Sequence, residues 1–296
     1  MAGIFSIQDV LNTAAPGLRA PVVDTVDVGA MFVGSSEQPY AALSRRGLAR
    51  VVGFEPVAAE CDRLNAMATP GQRFLPYFIG DGTERTFYLT NMSMTSSLYE
   101  PNTRLLRRFQ NLENLTRVVE TSRVQTRRLD DIPEIAAIDY LKADIQGAEL
   151  DMLKGAERLL AGALVIHIEV EFLEMYKGQA LFGDIDVHLR SRGFCFHSFL
   201  GLMGRCFHPV VMNNDPNRTW RQHIWSDVLY VRDFMRWGEL SPDQLLKIAT
   251  ILHECYQSVD LAALALQHYQ AGTGIRLWDA YVQRLTGQIP AQVPLD

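Results

Sequence analysis

The strongest constraint on the fold is a strand–helix–strand pattern that occupies residues 138–172. Two almost continuously apolar runs, IDYLKADIQG and ALVIHIEVEF, flank the helix-like segment AELDMLKGAERLLAG. Strands of this kind are buried on both faces, as they are at the centre of a parallel sheet. The block therefore predicts the middle of a parallel sheet in an α/β protein.

The same alternation of strands and helices continues on both sides of this block. Residues 22–56 have the pattern of a strand, a helix and a strand, and the segment RFLPYFIGDG is expected to be a third, parallel strand. After the block come the helix FGDIDVHLRSRG and the strands FCFHSFLGLM and WSDVLYVRD, which are expected to be antiparallel. Together they predict a Rossmann-like, mostly parallel sheet of seven strands with helices on both faces.

A less regular segment separates the third strand from the central block. In it, ERTFYLTN predicts a half-buried strand or hairpin arm, and TRLLRRFQNLENL predicts one amphipathic helix. The next run, VVETSRVQTRRLDDI, predicts a short strand whose arginines face solvent. We interpret this segment as a decoration of the sheet.

From Ser241 onward the apolar residues recur with the spacing of helices. We therefore divide the chain into a sheet domain, residues 1–237 with a short lead-in at 1–20, and a helical C-terminal extension, residues 238–296. The apolar stripes of these helices are too large to remain exposed to solvent. The extension is expected to be a cap on the sheet or the interface of a homodimer.

Charge and cysteine content restrict the partners and the location. The chain has 28 basic and 34 acidic residues and a formal net charge of −6, which argues against a nucleic-acid partner. The cysteines lie far apart, without the spacing of a zinc site, and are interpreted as buried thiols in a reducing compartment. No segment resembles a signal peptide or a membrane span, so we expect a cytoplasmic protein without a membrane partner.

Acidic residues and glycines stand at the ends of the first two predicted strands. Asp27, Gly29 and Ala30 end the first strand, and Glu55 and Pro56 end the second. Ligands of open α/β sheets bind at this edge, where a carboxylate after the second strand receives the ribose hydroxyls of an adenosine. We therefore predict cofactor-binding residues here, although both acids are also compatible with turn or surface positions.

The loop after the first strand argues against a dinucleotide. A pyrophosphate needs a G-x-G-x-x-G turn at a helix start, and only Gly29 and Gly34 of such a turn are present. The site therefore suits a nucleoside without phosphates. Asp81, in the Gly-Asp-Gly segment after the third strand, either binds the adenine amino group or simply forms a turn.

Two predicted central strands carry ionisable residues at the same edge. Lys142 and Asp144 share one face of the first by the two-residue period, and His167, Glu169 and Glu171 share one face of the second. Such residues in an apolar strand predict a catalytic site, unless Lys142 and Asp144 form a structural ion pair. Asp144 and His167 are the candidate bases.

These motifs resemble those of the FkbM family of S-adenosylmethionine-dependent methyltransferases. The resemblance covers residues 22–199 and rests on VVGFEP, IDYLKADIQGAELDMLKGA, VIHIEVEF with YKGQALF, and RSRGF. It implies a class I methyltransferase fold and O-methylation of hydroxyls on sugars or related natural products. It also implies that Asp27, Gly29 and Glu55 serve the cofactor S-adenosylmethionine and that Asp144 lies beside the acceptor.

Two positions depart from the family pattern. The family's Asp-x-Gly-Ala-Asn-x-Gly turn is replaced by a longer loop without the asparagine, and Gln146 replaces the glutamate of Asp-x-Glu-Gly. Glu169 either orients a sugar hydroxyl or holds a divalent metal with Asp144, but the sequence carries no clear metal motif. The alternatives to a methyltransferase are a nicotinamide-dependent oxidoreductase and a non-catalytic binding protein of the same fold.

Overall fold

The computed structural model describes residues 5–31, 37–288, 291 and 295. The strands are β1 (Val23–Val28), β2 (Ala49–Phe54), β3 (Gln72–Leu75), β4 (Phe78–Ile79), β5 (Glu84–Thr90), β6 (Val118–Arg127), β7 (Tyr140–Ala143), β8 (Val165–Glu171), β9 (Phe194–Phe199), β10 (Met203–Gly204) and β11 (His223–Arg232). The helices are α1 (Ile7–Ala14), α2 (Ala41–Arg45), α3 (Ala58–Met67), α4 (Thr103–Leu106), α5 (Leu112–Leu115), α6 (Glu149–Lys154), α7 (Glu157–Leu160), α8 (Phe182–Ser191), α9 (Pro242–Tyr256), α10 (Val259–Thr273) and α11 (Leu277–Thr286). Within these ranges, no helix combines the length and apolar character that a bilayer crossing requires.

The main sheet has the strand order β3-β2-β1-β7-β8-β11, with β9 and β10 along the outer edge of β11. The first five of these strands are parallel, and β11 runs antiparallel to β8. Eight strands result instead of seven, because the outer edge is divided near Gly201, whose φ of +140° favours glycine. The Rossmann-like, mostly parallel α/β sheet is thus confirmed.

A second sheet of the order β4-β6-β5 lies outside the main one. The segment expected to be one third strand is therefore two strands in different sheets, β3 and β4. Pro76, between them, has no N–H for a strand ladder. The strand β6 runs for ten residues, which is longer than the sequence indicated, and pairs with β5 along most of its length.

The amphipathic helix expected at residues 103–115 is interrupted. It forms the four-residue helices α4 and α5, and Asn111 before α5 has a left-handed φ of +63°. The helix of the central block is likewise divided into α6 and α7 at Gly155. A Cβ at Gly155 would lie 2.6 Å from the carbonyl oxygen of Gly80, so this backbone contact requires glycine.

Helices cover both faces of the main sheet, as expected. One face packs against α6, α7 and α8 through buried residues such as Leu141, Ile166 and Val228. The other face packs against α1, α2 and the three C-terminal helices α9, α10 and α11. Its sheet residues are Val23, Ala49, Val51, Tyr140, Val165, Leu229 and Val231. The helices of the predicted extension therefore share one continuous hydrophobic core with the sheet.

The two ends of the described chain are joined by hydrogen bonds. The backbone N–H of Ile7 in α1 donates to Glu254 Oε1 in α9 at 2.8 Å. His253, the residue before Glu254 in α9, makes two further contacts. Its Nε2 lies 2.6 Å from the carbonyl oxygen of Phe5, and its Nδ1 lies 2.8 Å from the Tyr281 hydroxyl. The predicted lead-in thus contains a helix that packs with the C-terminal helices.

Candidate active site

The carboxyl ends of β1, β2, β7 and β8 open into one cavity of about 470 Å³, which is in the usual range for small-molecule sites. The cavity lies where the strand order reverses, between β1 and β7. Most of the predicted site residues line it: Gly29, Glu55, Pro56, Lys142, Asp144, His167 and Glu169. Asp27, Ala30 and Asp81 are not in its described wall.

The polar character of this site builds up along one face of the sheet. On the face toward α9, the strands begin with apolar residues such as Tyr140 and Val165. Two residues further along, Lys142 and His167 replace them, and the register places Lys142 beside both His167 and Asp27. Along each strand, residues two positions apart lie on the same face, so this face belongs to the hydrophobic core at one end and to the charged cavity wall at the other.

Asp27 is buried beneath the cavity floor. The Tyr40 hydroxyl donates to its Oδ2 at 2.7 Å, and Lys142 Nζ lies 3.4 Å from its Oδ1. Burial would lower the pKa of Lys142, but the charges of Asp27 and Asp144 more than compensate, and the pKa is raised. Lys142 is therefore cationic and forms its ion pair with Asp27, not with Asp144 as one interpretation of the sequence had it.

His167 is held from both sides. Its Nε2 lies 3.1 Å from Asp227 Oδ1 on β11, and its Nδ1 lies 2.9 Å from the Tyr256 hydroxyl at the end of α9. The pKa of Asp227 is lowered, because the His167 hydrogen bond and the Lys142 charge outweigh its burial. An ionised carboxylate only accepts, so Nε2 of His167 donates to Asp227, and the Tyr256 hydroxyl holds the other ring nitrogen.

Asp144 and Glu169 meet in the cavity because β7 and β8 are adjacent. Gln146 Nε2 bridges them, donating to Asp144 Oδ1 at 2.9 Å and to Glu169 Oε2 at 2.5 Å. Burial, followed by the charge of Asp144, raises the pKa of Glu169 well above its usual value. Glutamate at position 146 would add a third carboxylate, whereas glutamine supplies the donors that two crowded carboxylates need.

The turn that carries Asp144 is fixed by a carboxylate that the sequence analysis did not select. Glu149 accepts the backbone N–H groups of Ile145 at 2.8 Å and Gly147 at 2.9 Å. Burial raises its pKa to about 7, although these backbone bonds oppose the shift. At Gln146 the φ is +56°, so the turn needs this support.

The other end of the cavity has the features of a nucleoside site. Glu55 is 2% exposed, and the one hydrogen bond it accepts within the described residues comes from the Val57 N–H at 2.8 Å. Burial raises the pKa of Glu55 to about 7. Apolar side chains form the walls beside it: Phe54, Pro56, Val57, Tyr77, Phe78 and Ile79.

The first loop is only partly described. Gly29 has a φ of +83°, and a Cβ there would lie 1.9 Å from the carbonyl oxygen of Asp144, so glycine lets the ends of β1 and β7 approach. Ala30 packs in a separate small core with Phe74. Residues 32–36 of the altered loop, which include Gly34, lie outside the described residues.

Asp81 lies away from the other predicted residues, because it follows β4 of the small sheet and not a strand of the main sheet. Its Oδ1 accepts from the backbone N–H and hydroxyl of Thr83, at 2.9 and 2.6 Å, and its Oδ2 accepts from Arg85 at 3.2 Å. These hydrogen bonds lower the pKa of Asp81, although burial opposes them. The structure therefore places Asp81 in a turn, the second of the two interpretations of the sequence.

Besides Glu149, two residues of the cavity and its support were not predicted, Asp227 and Tyr256. Asp227 could have been found from the pattern that identified His167, an ionisable residue in an otherwise apolar strand. Tyr256 gives no signal, because an aromatic residue in a helix usually belongs to the core. Within the described ranges, no group of three or more histidine, cysteine or acidic residues is arranged to hold a metal ion.

The hydroxyl network behind His167 yields a stability prediction. Replacing Tyr256 with phenylalanine is expected to lower the free energy of unfolding by about 1–3 kcal/mol, because it leaves Tyr140 and His167 without their partner. Tyr140→Phe should lower the free energy of unfolding by less, because the Tyr256 hydroxyl keeps its hydrogen bond to His167. Urea unfolding of the two variants checks this order, and an equal or larger cost for Tyr140→Phe would contradict the network.

Comparison with solved structures gives only distant likenesses. A structure described as a methyltransferase from Thermoplasma acidophilum has a TM-score of 0.35 and 10% identity, covering 72% of this chain and 69% of that chain. The 23S rRNA methyltransferase ErmE has a TM-score of 0.31 and 14% identity, covering 94% and 96%. These scores carry no argument of their own. No curated protein matches this chain significantly.

A family comparison is more specific. The methyltransferase FkbM domain matches residues 27–196, which is more than half of the chain and contains both ends of the cavity. The match favours neither a nicotinamide-dependent oxidoreductase nor a non-catalytic binding protein. This protein belongs to the FkbM family of methyltransferases.

Proposed function

We propose that this protein transfers the methyl group of S-adenosylmethionine to a hydroxyl oxygen of a small, sugar-like acceptor. The observation that carries the proposal is the division of one cavity into two chemically different ends. Glu55 and its apolar walls suit an adenosine, and Asp144 with Glu169 suits a hydroxyl-bearing acceptor. The family match supports the cofactor class but leaves the acceptor open.

The residues around Glu55 fit the nucleoside part of the cofactor. A carboxylate at the end of β2 accepts both ribose hydroxyls, and aromatic rings such as Phe54 and Tyr77 provide an apolar slot for adenine. Gly29, which lets the ends of β1 and β7 approach each other, lines the same cavity and leaves its wall without a side chain there. When bound, S-adenosylmethionine supplies a methyl group on a sulfonium, which is already a strong electrophile.

The protein then has two tasks at the acceptor end. It must align the hydroxyl oxygen with the methyl group and remove the hydroxyl proton. Asp144 is the better base of the two candidates, because both ring nitrogens of His167 are already occupied by Asp227 and Tyr256. Glu169, which shares the Gln146 amide with Asp144, is placed to orient the hydroxyl.

A binding experiment tests the cofactor half of the proposal. Calorimetry should detect binding of S-adenosylmethionine to the pure protein and none of a nicotinamide dinucleotide. Incubation with isotopically labelled cofactor and a panel of sugars then tests for methyl transfer. Tight binding of the dinucleotide instead would favour the oxidoreductase.

Glu55→Ala is expected to weaken S-adenosylmethionine binding by about 1–3 kcal/mol, because both ribose hydroxyls lose a charged acceptor. The ionised form accepts these bonds, and the pKa of Glu55 is raised to about 7. Wild-type affinity should therefore increase as the pH rises through 7. Asp62→Ala, on an exposed residue of α3, is the control and should retain wild-type affinity. An unchanged Kd for a correctly folded Glu55→Ala would exclude the ribose contact.

A further inference from the structure

Glu171 is a buried carboxylate without a complete set of partners. It ends β8, is 1% exposed and lines the cavity, and its Oε2 accepts no hydrogen bond from the described residues. A carboxylate oxygen removed from water without a donor costs free energy. Because this oxygen belongs to a cavity wall, its missing donor is expected to come from the molecule that fills the cavity.

The carboxylates around Glu171 make this end of the cavity strongly acidic. Glu169 precedes it by two residues on the same strand face, and Asp144 and Asp227 line the same cavity. Burial, followed by the charges of Glu149 and Asp144, raises the pKa of Glu171 well above its usual value. Such groups ionise readily only when a positive charge arrives.

The cations of the described cavity wall neutralise these acids only in part: the charge of Lys142 lowers the pKa of Asp227, but within the described residues Glu169 and Glu171 form no ion pair. Lys142 is paired with Asp27. The guanidinium of Arg205 lies 5.0 Å from the ring centroid of Trp225, and its Nη1 donates to the carbonyl oxygens of Gly204 and Asn217. Within the described residues, no ion pair joins Arg205 to an acidic residue of the cavity.

We infer that the acceptor of this enzyme carries a protonated amine, which Glu171 and Glu169 receive while Asp144 faces the hydroxyl to be methylated. An ammonium group has three donors and no acceptor, so it complements the carboxylate oxygens of Glu171 and Glu169. The inference rests on the proposed function and specifies its acceptor as an amine-bearing sugar or a similar polyol. Trp225, opposite Glu171 in the sheet register, supplies an apolar wall for the rest of the molecule.

Proton release distinguishes this recognition from ordinary hydrogen bonding to hydroxyls. An ammonium beside Glu171 and Glu169 favours their ionised forms, so their protons leave when it binds. A neutral sugar brings no charge, so its binding releases no protons. Calorimetry in two buffers with different ionisation enthalpies measures this number of protons directly.

The experiment uses the full chain saturated with S-adenosylhomocysteine, so that no turnover occurs. The probes are methyl glucosaminide, its N-acetyl derivative and methyl glucoside. We expect the amine to bind at least tenfold more tightly than the two neutral probes, with proton release near pH 7. In Glu171→Gln this preference should disappear, while S-adenosylhomocysteine affinity and the melting temperature persist. Glu174→Gln, on an exposed residue beyond the cavity, is the matched control.

Several results would overturn the inference. Equal binding of amine and neutral probes, binding of none of them, or a Glu171→Gln variant that keeps the preference would each contradict it. If Glu171→Gln weakened S-adenosylmethionine but not S-adenosylhomocysteine, the carboxylate would serve the sulfonium and not an acceptor. A wild-type protein that binds neither of these cofactor forms would instead refute the proposed function, and the inference with it.

Discussion

Asp144→Asn is expected to lower the rate of methyl transfer by about 10²–10⁴-fold, the usual effect of removing a group that takes a proton in the transition state. The asparagine keeps an oxygen for the Gln146 amide, so the shape of the site changes little. It loses the ability to accept a proton from the acceptor hydroxyl. Cofactor affinity should stay at the wild-type value, because the nucleoside end is built by other residues.

The measurement is the initial rate of S-adenosylhomocysteine formation at saturating cofactor, with calorimetry of cofactor binding beside it. Asp62→Asn, on an exposed residue of α3, is the control for a change of the same chemistry away from the cavity. Near wild-type turnover of Asp144→Asn on an accepted sugar would remove Asp144 from the catalytic role. It would then be only a partner of Gln146.

Ending the chain before Ser241 is expected to abolish the folded state. In α9 alone, five leucine and isoleucine residues are buried: Leu245, Leu246, Ile248, Ile251 and Leu252. Burying such side chains contributes about 1.5–3 kcal/mol each, so their sum is about 8–15 kcal/mol. That sum is as large as the entire free energy of unfolding of a typical protein, about 5–15 kcal/mol. Soluble yield and circular dichroism would show the loss.

Single substitutions in the full chain test the same contribution without removing a whole segment. Ile251 is completely buried, and Ile251→Ala should cost about 2–5 kcal/mol through the cavity it leaves. Met235 is 78% exposed, and Met235→Ala should stay within about 0.5 kcal/mol of the wild type. A truncated chain that remains soluble and melts at the wild-type temperature would show instead that the C-terminal helices are dispensable.

The sheet could be predicted because its signal is local. Each strand of the central block is short, apolar and followed by a helix, and its ionisable residues alternate with apolar ones. This alternation also located Lys142, Asp144, His167 and Glu169 on one face. The break at Pro76 was readable in principle, but which sheet each half joins depends on partners distant in sequence.

The parts of the site that could not be predicted from the sequence depend on tertiary contacts. The partner of Lys142 is Asp27, more than a hundred residues earlier, and local spacing suggested Asp144 instead. Tyr256 approaches His167 from a helix on one face of the sheet, across 89 residues of sequence. Asp81 was placed in the wrong sheet position because the strand before it was assigned wrongly. Spacing predicts neighbours on one element, but not those that folding brings from another.

The helices that cover one face of the main sheet are synthesised last. The strands of the main sheet are complete at Arg232, whereas α9, α10 and α11 follow and end at Thr286. At about 5–20 residues per second, the ribosome needs seconds to produce them. Throughout that time one face of the sheet lacks its cover, and α1, made first, lacks the helices it packs against. The nascent chain therefore exposes apolar surface until synthesis is nearly finished, and we expect co-expressed chaperones to increase its soluble yield.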